Sequence, residues 1–315
     1  MGWGWAEDLW DTVTDGAETV WDAVTTGVGA IVDTIEILLW PASVVLAFVI
    51  GALESIPIVG AFIEWVINIT TTIIWYVVGA IDFVLALLGI LPEKRMRVHV
   101  VVLIDNKGVP MATDVEVINA MSVFQQTFKD RANVRILPVG IAKYTSAFAD
   151  IKPPDASWIS YYQVESNDLL IGECDWDGVK ADWGSDGNLI NIQTKLQIKA
   201  NFIRSLLGYG APTVIFVIKK FSDPSKAGCS LGPVRDYVQV EGSALTIGPN
   251  GLTNNVYLIP HECGHACNLT HSYFDGNSFE TYALSNLMNP DGARGNELTK
   301  WQVAVLRGSR RVSYF

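Results

Sequence analysis

No lysine or arginine occurs in residues 1–92, although that stretch holds eleven of the chain's 33 acidic residues. The formal net charge of the protein, −11, is therefore carried by this stretch, because the other 22 acids are balanced by the 22 Lys and Arg downstream. The absence excludes two behaviours. A chain with no basic surplus cannot hold nucleic acid by neutralising phosphates. A helical stretch without Lys or Arg does not adsorb electrostatically to anionic headgroups. A basic n-region is also missing at the start, and the first long apolar run begins only at Ile37, so no cleavable signal peptide is expected. The four cysteines leave the redox compartment open.

Apolar content is as lopsided as charge. Ile37–Leu53 carries no charge, Ile56–Ile81 carries only Glu64, and Phe83–Leu91 is apolar again. The first run is 17 residues, about 25 Å as a helix and marginal for a bilayer core, whereas the second is long enough to span. Upstream, "WDTV" (10–13), "WDAV" (21–24) and "VDTI" (32–35) recur every eleven residues, which keeps one apolar stripe nearly straight along a helix. Two parts follow: residues 1–92, an acidic amphipathic and hydrophobic helical segment, and 93–315, a neutral α+β domain. The first part needs lipid or copies of itself to cover its apolar surface.

Histidine is scarce as well, with four in 315 residues, yet three fall within "HECGHACNLTHS", residues 261–272. Residues four apart share a helix face, so His261 and His265 can aim at one point, with Glu262 at the edge of that face. His271 can join them only if the helix ends and the chain turns back. Asn268 stands where that turn is needed, and Asn tolerates the left-handed conformation that ends helices. Three nitrogen ligands with a fourth position open is the layout of a catalytic zinc site rather than a structural one.

This stretch resembles the metzincin metallopeptidases, whose motif is HExxHxxGxxH followed by a Met-turn. His261, Glu262, His265 and His271 match; Asn268 stands in place of the glycine. Gly264–Ala266 and Ser272 look most like the matrixin branch. The resemblance implies zinc on the three histidines, Glu262 as general base, and Met288 of "SNLMNP" (285–290) as the Met-turn beneath the metal. It also implies that "LTKWQVAVLRGS" (298–309) is the closing helix. The tyrosine that some metzincins carry two residues after the Met is absent, since Pro290 stands there. Only His99 is left over, which argues against a second histidine-rich zinc site.

Elsewhere the pattern predicts strands at 98–105, 134–139 and 213–220, helices at Thr113–Ala132 and Gln193–Leu207, and short strands "YVQV" and "ALTI" around Gly242. The motif helix is expected at about 256–267. "ECDWDGVKADWGSDGN" (173–188) offers oxygen ligands suited to calcium, or else is a solvated loop of turn-forming Asp and Gly. Cys263 and Cys267 lie at about 200° and 240° from His261 around the motif helix, the side of small buried residues. Two alternatives are a disulfide from one of them to Cys174 or Cys229, and a thiolate of Cys174 or Cys229 capping the zinc.

The expected function is a zinc metalloendopeptidase acting on polypeptide and tethered to a membrane-inserting or self-assembling segment, with homo-oligomers expected. The alternatives are a toxin or injected effector, whose Glu36, Glu54, Glu64 and Asp82 hold insertion back until low pH, and a structural assembly with a secondary zinc site. Two signals on topology conflict. Lys94, Arg95 and Arg97 after the last apolar run favour a cytoplasmic domain. The resemblance favours a membrane-associated or secreted protein with its catalytic domain outside the cell, and it outweighs three charges.

Overall fold

The computed structural model describes residues 79–80, 82–139, 158–164, 166–174, 189, 204, 209–230, 237–246, 255–271, 284–290 and 294–314. The eleven-residue repeats, the apolar runs up to Ile81, most of the Asp-rich stretch and most of the helix expected at Gln193–Leu207 lie outside them. Among the described residues no helix is long and apolar enough to cross a membrane.

The described part is a mixed α/β body built on one mainly parallel sheet. Its axis is strand β1, Lys94–Ile104, four residues longer at its start than the predicted strand. Eleven residues span about 36 Å, enough for two partners on each edge. On one edge β2 (Val134–Pro138) pairs with Lys94–Val98 and β3 (Ile159–Gln163) with Val100–Ile104, both parallel. On the other, β5 (Thr213–Ile218) pairs in parallel with Val98–Val102, and β9 (Val312–Ser313) lies antiparallel to Arg95 and Met96. Beyond β5 come β8 (Tyr237–Glu241), parallel, and the antiparallel edge strand β7 (Gly228–Ser230). A separate two-stranded ladder joins β4 (Ile171–Gly172) and β6 (Lys220–Phe221).

Alternation along β1 feeds two cores. Met96, Val98, Val100 and Val102 face the helices, packing with Phe124, Phe128, Leu258 and Met288. Val101 and Leu103 face the other way, against Phe216, Phe221 and Tyr237. Burial on both faces is why this strand reads as a continuous valine-rich run. The helix predicted from Thr113 is α2, Asp114–Ala132. Thr113 and Glu116 cap each other reciprocally at its start, and Asn133 ends it at φ 48°. It supplies the crossover that parallel β1 and β2 require.

One predicted strand is corrected. "YVQV" is β8, but the "ALTI" stretch does not continue it: Gly242–Leu245 is a 3₁₀ turn. The ladder partners of β8 stop at Glu241, opposite Ile218, and at Val240, opposite Gly228. Past that point the ladder ends, and the backbone closes a local bond instead, Thr246 N–H to Ser243 O at 3.3 Å, while Ala244 O accepts Asn255 N–H at 3.3 Å.

Residues 79–80 and 82–92 belong to the packing of this body. A short helix α1, residues 82–87, places Asp82 in the interior, 2.9 Å from the Lys94 ammonium. Lys94 also donates to Arg307 O at 2.6 Å and lies 4.7 Å over the Tyr314 ring, while the Tyr314 hydroxyl donates to Asp82. Burial pulls the Lys94 pKa down to about 8, with Asp82 opposing the fall. Asp82 is held as a buried counter-ion to Lys94. Lys94, Arg95 and Arg97 are buried in the body.

Removing one partner of a buried pair leaves the other charge desolvated. Asp82→Asn should therefore lower unfolding free energy by about 3–5 kcal/mol, read by urea titration of the full chain in detergent. A loss below about 1 kcal/mol would show that Lys94 is held well enough by Arg307 O and Tyr314.

Candidate metal centre

The motif helix is α3, Leu258–Ala266, and it packs against β7, β8 and α2. Pro260 falls in its first turn, where a missing N–H costs nothing. Its end is a Schellman turn: Leu269 N–H reaches Gly264 O at 3.0 Å and Asn268 N–H reaches His265 O at 2.9 Å. Asn268 sits at φ 73°, the left-handed conformation that the sequence demanded there.

That turn brings His271 back to the helix. His265 Nε2 lies 3.1 Å from His261 Nε2 and 3.2 Å from His271 Nε2. A metal with nitrogens at about 2.0–2.1 Å in tetrahedral array separates them by about 3.3 Å, so the three rings fit a common ion. The remaining nitrogens fix the tautomer. His261 Nδ1 donates to Leu287 O and His265 Nδ1 to Leu269 O, each at 2.7 Å. Both Nε2 atoms are thereby left as acceptors facing the site. Burial lowers the pKa of all three rings, to about 2 for His261 and about 4 for His265, with the Arg294 guanidinium adding to each fall. The imidazoles are neutral at neutral pH, the form that binds metal. This trio can hold a metal ion.

Glu262 is buried beside the trio, 5% exposed. The edge strand crosses so close that a Cβ on Gly228 would lie 2.5 Å from its Oε1. Burial raises its pKa to about 8, opposed by the charges of Arg294 and Lys226. Met288, fully buried, lies under the helix: a Cβ on Gly264 would meet its sulfur at 2.7 Å. The closing helix, α4 at Lys300–Gly308, starts with a reciprocal Thr299–Gln302 cap.

Three contributors were not singled out from sequence. Asn286 and Gln302 form a buried amide pair, Asn286 Nδ2 to Gln302 Oε1 at 2.9 Å and Gln302 Nε2 to Asn286 Oδ1 at 3.3 Å. Asn286 Oδ1 also accepts Met288 N–H at 2.8 Å, and Gln302 Oε1 accepts Thr299 N–H at 2.9 Å. The cap of α4 is thus tied to the turn that presents Leu287 O to His261. Arg294 is the third; its Nη2 donates to Pro290 O at 3.4 Å. The capping-box spacing from Thr299 to Gln302 was legible, but its link across to Asn286 was not.

His99 stands apart, on β1, with Nε2 2.8 Å from Ser160 Oγ and its pKa lowered by burial to about 4. The cysteine alternatives are corrected. Cys174 is bonded to Cys229, with Cα atoms 5.8 Å apart, so neither is a thiolate that could cap a metal. Cys263 and Cys267 are free and buried behind α3, Cys267 Sγ 3.9 Å from Met96 Sδ. Burial raises both thiol pKa values, Cys267 to about 11. The calcium reading falls on residues outside those described. No protein-family model matches this chain, and no curated protein matches it in sequence.

Because Asn286 acts on the ligand set only through Leu287 and Met288, Asn286→Ala should weaken metal binding about 10- to 100-fold. Competition against a chromophoric chelator measures it. An unchanged affinity would confine Asn286 to holding the fold.

Proposed function

We propose that this protein is a zinc-dependent metalloendopeptidase of metzincin type. The observation that carries the reading is the convergence of the three Nε2 atoms around one point, on a helix that also bears a buried carboxylate. All-imidazole ligation, with no fourth protein donor in the cluster among the described residues, suits zinc in a catalytic rather than structural setting. His261, His265 and His271 would hold a zinc ion, which would supply Lewis acidity toward a peptide carbonyl and toward an attacking water. Glu262 would serve as the proton acceptor for the attacking water and as the proton donor to the departing amide nitrogen. Its burial, which raises its proton affinity, suits it to both halves of that transfer. Met288 contributes packing beneath α3, not chemistry.

Polypeptide as substrate is supported by the edge strand. An extended chain can add to a sheet edge through main-chain hydrogen bonds, and β7 passes directly beside Glu262 at Gly228. The Cys174–Cys229 disulfide, which joins β7 to the stretch after β4, supports an oxidising compartment and hence a catalytic domain outside the cytoplasm. Membrane insertion or self-association of residues 1–92 remains part of the proposal on the strength of their apolar content.

Full-length protein should carry about one zinc per chain, and His265→Ala should lose it. Glu262→Gln should keep the zinc and the fold but lower kcat on a peptide library by about 10²- to 10⁴-fold. Metal analysis and cleavage mapping decide this. A Gln variant as active as the parent would assign the proton transfer elsewhere, and a metal-loaded parent that cleaves nothing would remove the peptidase reading.

A further inference from the structure

Helix α1 is inside out. Its charged residue faces the protein and its aliphatic residues face away. Counting the helical residues 79–80 just before it and the turn residue Leu88 just after it, Gly79, Asp82 and Ala86 are buried, whereas Ala80, Val84, Leu87 and Leu88 are exposed. At 100° per residue the exposed four fall within an arc of about 100°, opposite the buried three. The side chains of Val84, Leu87 and Leu88 are 54%, 40% and 60% exposed. The helix cannot roll to hide them. Asp82 is locked to Lys94, and Gly79 lies so close to the end of α4 that a Cβ there would be 2.2 Å from Gly308 O. The stripe extends onto the body through Phe83, whose ring meets Trp301 edge-on at 4.9 Å; Trp301 is itself half exposed.

We propose that Ala80, Val84, Leu87, Leu88 and Trp301 form a lipid-contact surface that seats the body on a bilayer. Two observations favour lipid over a second copy of the chain. In sequence the stripe adjoins Ile56–Ile81, 26 residues with one charge and long enough to cross a hydrocarbon core of about 30 Å. Its body-side edge is a half-exposed tryptophan next to the exposed Lys300, the pairing of residue types found where protein meets the headgroup layer. The consequence reaches the metal centre, because Trp301 points out from the turn of α4 whose next residue, Gln302, points in to Asn286. The inference stands independently of the peptidase reading.

The test uses the full chain in phosphatidylcholine vesicles, with a fluorophore on an introduced cysteine at Leu88→Cys or Trp301→Cys. Val115→Cys, at an exposed position of α2, is the control, and the parent chain, whose free thiols are buried, gives the background. Vesicles containing shallow spin-labelled phosphatidylcholine should quench positions 88 and 301 at least about twofold more than position 115. Leu88→Cys keeps the proposal testable even if Trp301→Cys weakens the fold. Equal quenching at all three positions would overturn the proposal. So would energy transfer between labels at position 88 of neighbouring copies without lipid quenching, which would assign the stripe to self-association.

Discussion

A buried imidazole that turns one nitrogen toward a metal must satisfy the other, and here both acceptors are backbone carbonyls, Leu269 and Leu287. Much of the site follows from that need. Leu269 O is in place only because Asn268 takes a positive φ and closes the Schellman turn, the same turn that returns His271 to the cluster. Leu287 O is in place only because the turn at Met288 is held from behind by Asn286 and, through it, by the cap of the closing helix. The helix that carries His261 and His265 and the closing helix are thus parts of one hydrogen-bonded unit.

Close approach is the second constraint. The sheet edge reaches Glu262 only where Gly228 has no side chain, and Met288 fits under the motif helix only at Gly264. These contacts put the carboxylate in a desolvated slot between strand and helix, which is the cause of its raised proton affinity. The disulfide from Cys229 then fastens that same edge strand one residue beyond the contact.

Legibility in the sequence followed the range of the interaction. The helix from Thr113, the stop at Asn268 and the start of the closing helix rest on contacts within a few residues, and their local signatures are where they should be. The valine run at 98–104 announced a strand buried on both faces, but the strand begins at Lys94, since β2 and β9 accept its basic residues into the ladder. "ALTI" has strand-like composition and forms a turn instead, because its neighbours in the sheet end before it does. Asp82 looked like part of an apolar segment separate from the body. It is in fact the counter-ion of a lysine twelve residues on, a pairing that charge composition alone does not reveal.

By itself the sequence determined that the three histidines come together, because four-residue spacing and a left-handed stop are properties of the local backbone. It determined too that residues 1–92 bring acid and hydrocarbon but no base. Only the tertiary structure decided which cysteines pair, which carbonyls orient the rings, that Asn286 and Gln302 belong to the centre, and which way α1 turns its aliphatic face. Apart from Leu269 O, which lies four residues from His265, those outcomes depend on residues distant in sequence meeting in space, and no local spacing encodes such meetings.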